Sequence, residues 1–153
     1  MTRPVTTQNL PEDRTIRTSR TFTAARETLW TLFENPVHLG VWWGPTGFRN
    51  TFEAFDFRDG GDWRFVMHGP DGAAYPMCKT FVAIRKPEAI VLDHEDPVHG
   101  FRMFMNFHED AGGTRLDWIM VFDHEEEAAR VRPFVEPANE QNLDRLGERL
   151  ANV

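Results

Sequence analysis

Between Gly47 and Gly113 the chain is punctuated at nearly even intervals by turn-forming clusters: Gly60-Gly61, Gly69-Pro70-Asp71-Gly72, Lys86-Pro87-Glu88, Asp96-Pro97 and Gly112-Gly113. The runs between them are short and rich in Phe, Val, Ile and Met, residues that suit a pleated, half-buried surface. Spacing this regular accommodates hairpins and little else. It predicts consecutive antiparallel strands over approximately 48–57, 62–68, 75–85, 89–95, 100–109 and 114–122. Residues 14–22 alternate loosely, with Ile16 and Phe22 apolar, and supply a seventh strand ahead of the others.

Helical signals occupy the two remaining stretches. Thr23 is an N-cap candidate with Glu27 a little further on, Leu29, Trp30, Leu32 and Phe33 follow at helical spacing, and Asn35-Pro36 stops the turn. Pro36, tolerated at a first helical position, begins a second short helix that must end at Gly44-Pro45. Past His124, Leu143, Leu146 and Leu150 recur at i, i+3 and i+7, which predicts a long closing helix with a break near Pro133 and Pro137. Strand, two short helices, six strands and a terminal helix is an α+β order, in which a curved sheet of seven strands grips the last helix. Six consecutive strands carry more inward-facing positions than one helix fills, so a cavity is expected between sheet and helix. Residues 14–153 then form one domain behind a flexible N-terminal tail, residues 1–13, consistent with a length of 153 residues.

Charge and cysteine content narrow the function classes. Seventeen basic against twenty-four acidic residues leave a formal charge of −7 with no basic cluster, so no nucleic-acid partner is expected. The single cysteine, Cys78, cannot form an internal disulfide, which fits a reducing, cytoplasmic setting. Neither an export signal nor a membrane span is legible in the polar, proline-containing first residues or elsewhere. Thirteen Phe and five Trp against one Tyr are the compositional anomaly, and they imply a gathering of large apolar rings.

Trp42-Trp43-Gly44-Pro45-x-Gly47-Phe48, followed by Asp56-x-Arg58-x-Gly60-Gly61-x-Trp63-Arg64-x-x-Met67-x-Gly69-Pro70-Asp71-Gly72-x-x-Tyr75, resembles the family of activator of heat-shock-protein ATPase homologues (AHSA type). That family is a branch of the START-like, helix-grip SRPBCC superfamily. The resemblance continues through Ile84-x-x-Pro87-Glu88-x-Ile90-Val91 and Gly113-Thr114-Arg115-Leu116, and ends at Asn142-Leu143-Asp144-Arg145-Leu146. It implies a helix-grip fold with a hydrophobic pocket that takes small apolar or polycyclic molecules. Superfamily relatives include lipid carriers, polyketide aromatase/cyclases and toxin self-resistance proteins. The chain departs from the pattern at Ala83 and Ala89, and at Asn139 where many relatives carry Trp.

Strand alternation supplies the pocket candidates: Trp63, Phe65 and Met67 on one strand, Phe104 on another, and Trp118 and Met120 on the last. Alternation identifies each row but not the face that meets the helix, so for β-strand 100–109 the Phe101, Met103, Met105, Phe107 row stays open as the alternative. Asn139 and Leu143 share one helical face and place an amide at the pocket wall. Trp42 and Trp43 point about 100° apart on a short helix, so one at most is fully buried and the other contributes to the pocket rim.

Six histidines, several beside carboxylates, lack convergent spacing, and no metal is expected. Cys78 reads as a small buried hydrophobe rather than a thiolate nucleophile. Asp93, His94, Arg102, His108 and Asp117 are the acid/base positions to test if a reaction is catalysed. The leading expectation is non-catalytic binding of a small hydrophobic or aromatic molecule, without cofactor. A cyclase/aromatase-like or hydrolase enzyme and a chaperone- or partner-binding module are the alternatives, and a homodimer stays open.

Overall fold

The regular turns do produce hairpins. In the computed structural model, which describes residues 2–153, strand β1 (Thr15–Phe22) is followed by helices α1 (Arg26–Glu34) and α2 (Pro36–Trp42). Strands β2 (Arg49–Phe55), β3 (Asp62–His68), β4 (Ala74–Arg85), β5 (Ala89–His94), β6 (Phe101–Asp110) and β7 (Gly113–Phe122) come next, and helix α3 (Glu125–Ala151) closes the chain. All pairings are antiparallel, in the order β1-β7-β6-β5-β4-β3-β2. Only β1 leaves chain order: α1 and α2 carry the chain from it to the opposite edge, where β2 begins, and β1 pairs with β7. The sheet curves around α3, the helix-grip arrangement expected from the order of elements.

Two local readings are corrected. The first helix starts at Arg26 with Ala25 at its N-cap and no side-chain cap, so Thr23 lies two residues too early. Asn35 is the true capping side chain here: its Oδ1 accepts from the Val37 amide at 2.9 Å and opens α2, with Pro36 in the first turn. Secondly, α3 runs unbroken through Pro133 and Pro137. Both prolines are exposed and one turn apart, so the backbone bonds they remove lie on the solvent side, while Val131, Val135, Leu143 and Leu146 hold the other face against the core.

Parity divides the sheet into two faces. The concave face carries Trp63, Phe65, Phe81, Ile90, Leu92, Met103, Met105, Phe107, Leu116, Trp118, Met120 and Phe122, packed on α1, α2 and α3. Its convex face carries Phe104, Ile119, Val121 and Val91, covered by Leu10. Residues 2–13, expected as a flexible tail, make specific contacts on that outer face. Arg3 donates to Asp123 at 2.8 and 2.7 Å, and pairs with Asp93 at 3.2 Å and Glu95 at 3.1 Å. Arg102 pairs with Asp93 and also donates to the Pro4 carbonyl at 3.0 Å. The hydrogen bond from Arg3 holds the Asp123 carboxyl below its ordinary range. Arg3→Ala is expected to cost about 1–2 kcal/mol, because the partly buried Asp123 loses its counter-charge and Asp93 keeps only Arg102. Limited proteolysis is the check: the variant should be cut within residues 2–13 faster than the parent.

Candidate functional site

The grip is filled where a cavity was expected. Trp43 lies with its ring centroid 4.9 Å from that of Trp63 and 5.5 Å from that of Trp118, and Trp42 meets both Trp43 and Trp118. A gap inside this cluster, between Phe33, Leu39, Trp43, Trp63, Phe81 and Met105, amounts to about 10 Å³, room for one water at most. Edge-to-face and offset ring pairs interlock efficiently, and for this reason the inner positions that exceed what α3 alone fills are taken up by indoles. Trp42 is a structural plug, fully buried with its Nε1–H donated to the Leu32 carbonyl at 2.8 Å. Trp43 is 6% exposed, so of the two indoles Trp42 alone is fully buried, and Trp43 packs in the aromatic cluster. Trp63 and Trp118 are buried as well, and their N–H groups have no hydrogen-bond partner.

Usable space lies at the open end of the grip. A depression of about 600 Å³ is lined by Phe65 on β3, Tyr75, Met77 and Cys78 on β4, His94 on β5 and His99 in the loop before β6, with Glu53, Arg64, Glu95 and Asp96 on its rim. Its position follows from register. Trp63, Lys79, His94, Phe101 and Phe122 are successive partners across β3, β4, β5, β6 and β7, so they form one row on the concave face. Aromatic side chains pack well in such a row, and the His94 ring lies 5.0 Å from Phe101, which lies 5.3 Å from Phe122.

Lys79 breaks the pattern of that row. It is 4% exposed, and its Nζ lies 3.3 Å from His94 Nδ1 and 5.0 Å from the centre of the Phe101 ring. No carboxylate lies within ion-pair distance of it among the described residues. Burial pushes the amine down to about 7, and burial together with the neighbouring Lys79 pushes His94 down to about 3. Near neutral pH His94 is therefore an uncharged imidazole, and Lys79 is divided between its two forms. Next to them His99 Nδ1 contacts the buried Glu127 carboxylate at the start of α3, which Arg130 also clamps at 2.9 and 2.8 Å. This ties the loop at the rim to the gripped helix.

The candidates from sequence separate cleanly. Phe65 lines the depression, and Met67 is half-buried on the same strand face. Met120 and Asn139, each 8% exposed, meet across the grip, with Asn139 Nδ2 3.6 Å from the Met120 sulfur, a weak partner for an amide. Leu143 is packed in the core with Trp42, Trp63 and Trp118. Phe104 is corrected: the concave row of β6 is Phe101, Met103, Met105 and Phe107, so Phe104 faces outward beneath Leu10. Cys78 is corrected too, being exposed because it alternates with the buried Lys79. Of the acid/base positions only His94 reaches the depression. Asp93 and Arg102 pair with each other on the convex face, and His108 pairs with Asp117 on exposed strand surface. Lys79 and His99 were not among the candidates. Two lysines against fifteen arginines was the available signal, since a chain that otherwise uses Arg places one of its two lysines in a strand run between Met77 and Phe81.

Among the described residues no cluster of three or more His, Cys, Asp or Glu side chains converges as a metal site, and no helix is long and apolar enough to cross a membrane. The architecture defines a helix-grip protein of the START-like class. Residues 23–151 match the family model described as activator of Hsp90 ATPase homolog 1-like protein, and the chain belongs to that family. The same fold is found in a protein from Arthrobacter aurescens, at 23% identity and a TM-score of 0.85, covering 93% of this chain and 88% of that one. A protein from Nitrosomonas europaea shares it at 15% identity and a TM-score of 0.85, over 95% and 99% of the two chains. An AHSA1 protein from Silicibacter pomeroyi does so at 22% identity and a TM-score of 0.72, over 90% and 97%. A search of the curated proteins found no match.

Proposed function

We propose that this chain binds a small, largely apolar molecule at the open end of the grip, between the tips of β3 and β4 and the loop that carries His99. The observation that carries this reading is the depression of about 600 Å³, a size that suits a small-molecule site, walled by Phe65 and Met77 with polar groups restricted to His94, His99 and the rim. Apolar contact at about 25 cal/mol per Å² supplies the affinity, and the two imidazoles supply orientation. The interior indoles serve as the rigid floor rather than as the pocket expected in the middle of the fold.

Cys78 lines this depression, is exposed, and is the chain's one cysteine, so its alkylation reports on occupancy. N-ethylmaleimide labelling is to be followed with increasing 2-methoxynaphthalene and a small panel of other apolar probes. Saturable slowing by about tenfold is the expected result, since an occupant shields the thiol. An alkylation rate unchanged by every member of the panel would contradict the reading.

A further inference from the structure

The amine inside the aromatic row, without a counter-charge among the described residues, is the feature that a simple apolar binding site does not need. Lys79 Nζ is enclosed by the Trp63, His94 and Phe101 positions of neighbouring strands, carries no ion pair, and has His94 Nδ1 at 3.3 Å as its hydrogen-bond partner. The chain's other lysine is its opposite: Lys86 is exposed and held by Glu34 at 2.9 Å. A buried lysine without a counter-charge costs stability, so a site that retains one holds a nucleophile in the form that reacts. His94 lines the depression with Lys79 immediately behind it, so the amine is one side chain from the space a ligand occupies.

We propose that Lys79 captures the aldehyde or ketone carbonyl of the bound molecule as a reversible imine, which makes the occupant of the open end a carbonyl compound with an apolar body. The inference rests on the binding reading above. The imidazole turns aside to admit the carbonyl and releases its contact with Lys79 Nζ, and the lone pair of the neutral amine attacks the carbonyl carbon. The Nζ–C bond forms and the carbonyl oxygen takes up the proton that nitrogen gives up. The carbinolamine then loses that oxygen as water, leaving C=N; carbonyl compound and amine yield imine and one water, with no oxidant or reductant. Because burial pushes the Lys79 amine down to about 7, a large share of it is unprotonated near neutrality, which an exposed, paired lysine is not.

The test is trapping of the full chain with 1-naphthaldehyde and cyanoborohydride at pH 7, read by peptide mass. The expected result is reduced adduct on Lys79 at least about tenfold above Lys86, absent in Lys79→Met, and faster in His94→Ala because the covering ring is gone. Adduct on Lys86 or the terminal amine equal to or above that on Lys79 would overturn the proposal. Protection of Cys78 by 2-methoxynaphthalene, measured on the same preparation, separates the two claims. Protection without trapping rejects the imine and leaves the binding site standing, whereas loss of both rejects both.

Discussion

Replacing Arg145 by alanine is expected to lower the unfolding free energy by about 3–5 kcal/mol, a large share of what a domain of this size possesses. Its guanidinium donates to five main-chain carbonyls: Trp43, Gly44 and Pro45 through one nitrogen at 3.1, 2.9 and 2.9 Å, and Val41 and Phe48 through the other at 2.7 and 2.8 Å. Those oxygens belong to the turn that ends α2 and leads into β2, where no regular ladder can satisfy them. Gly44 adopts φ of +97°, and a Cβ there would stand 2.8 Å from the Met67 methyl, so the turn accepts no other residue without strain. Asn142, one turn earlier on α3, donates to the Trp42 carbonyl at 2.9 Å and completes the brace. Urea unfolding is the check, with Arg145→Lys also falling well short of the parent because a single ammonium cannot span five carbonyls. A midpoint within experimental error of the parent for Arg145→Ala would show that water replaces the guanidinium freely.

Replacing Lys79 by methionine is expected to act in the opposite direction, stabilising the fold at pH 7 by about 2–4 kcal/mol. The folded chain holds this amine near pH 7, well below its ordinary 10.5, so between those values the unfolded chain binds the extra proton. Stability contributed through Lys79 therefore rises from about pH 7 to about 10.5, and the penalty of charging the buried amine is fully present below that window. The variant should lack this rise, and its advantage over the parent should shrink as pH approaches 10.5. Paired denaturation curves at pH 6, 8 and 10 make the comparison; a pH-independent difference between the two proteins would mean that the amine is charged in the folded state. On the acid side His94, held near 3 in the fold, contributes a loss of stability as pH falls from its ordinary 6.5 toward 3.

Strand boundaries were readable because glycine and proline clusters mark where pairing must stop, and the seven strands fall within one or two residues of the positions expected. The resemblance motifs also acquire a physical meaning, since Trp42-Trp43-Gly44-Pro45 and Asn142-Leu143-Asp144-Arg145-Leu146, a hundred residues apart, are respectively the acceptor and donor sides of one brace. Parity was the limit. Phe104 is the one apolar side chain in an otherwise polar row of β6, with Arg102, Asn106 and His108, and only the Leu10 cover reveals why an outward face carries Phe and Ile. The filled interior was equally hidden: sequence shows five tryptophans but not that four converge and interlock. Lys79 escaped notice because a lysine in a strand is ordinarily solvated, and its burial arises from register with Trp63 and His94 on two other strands.

The central claim, that a small molecule enters at the open end while the indole-packed interior stays closed, is tested most directly by methyl NMR of 13C-methionine-labelled protein titrated with 2-methoxynaphthalene. Met77 lines the depression, whereas Met103 and Met105 are each 2% exposed beneath the sheet's centre. The expected result is a saturable shift of the Met77 methyl with Met103 and Met105 unmoved. Shifts led by Met103 or Met105, with Met77 unchanged, would contradict it and place the ligand inside the grip.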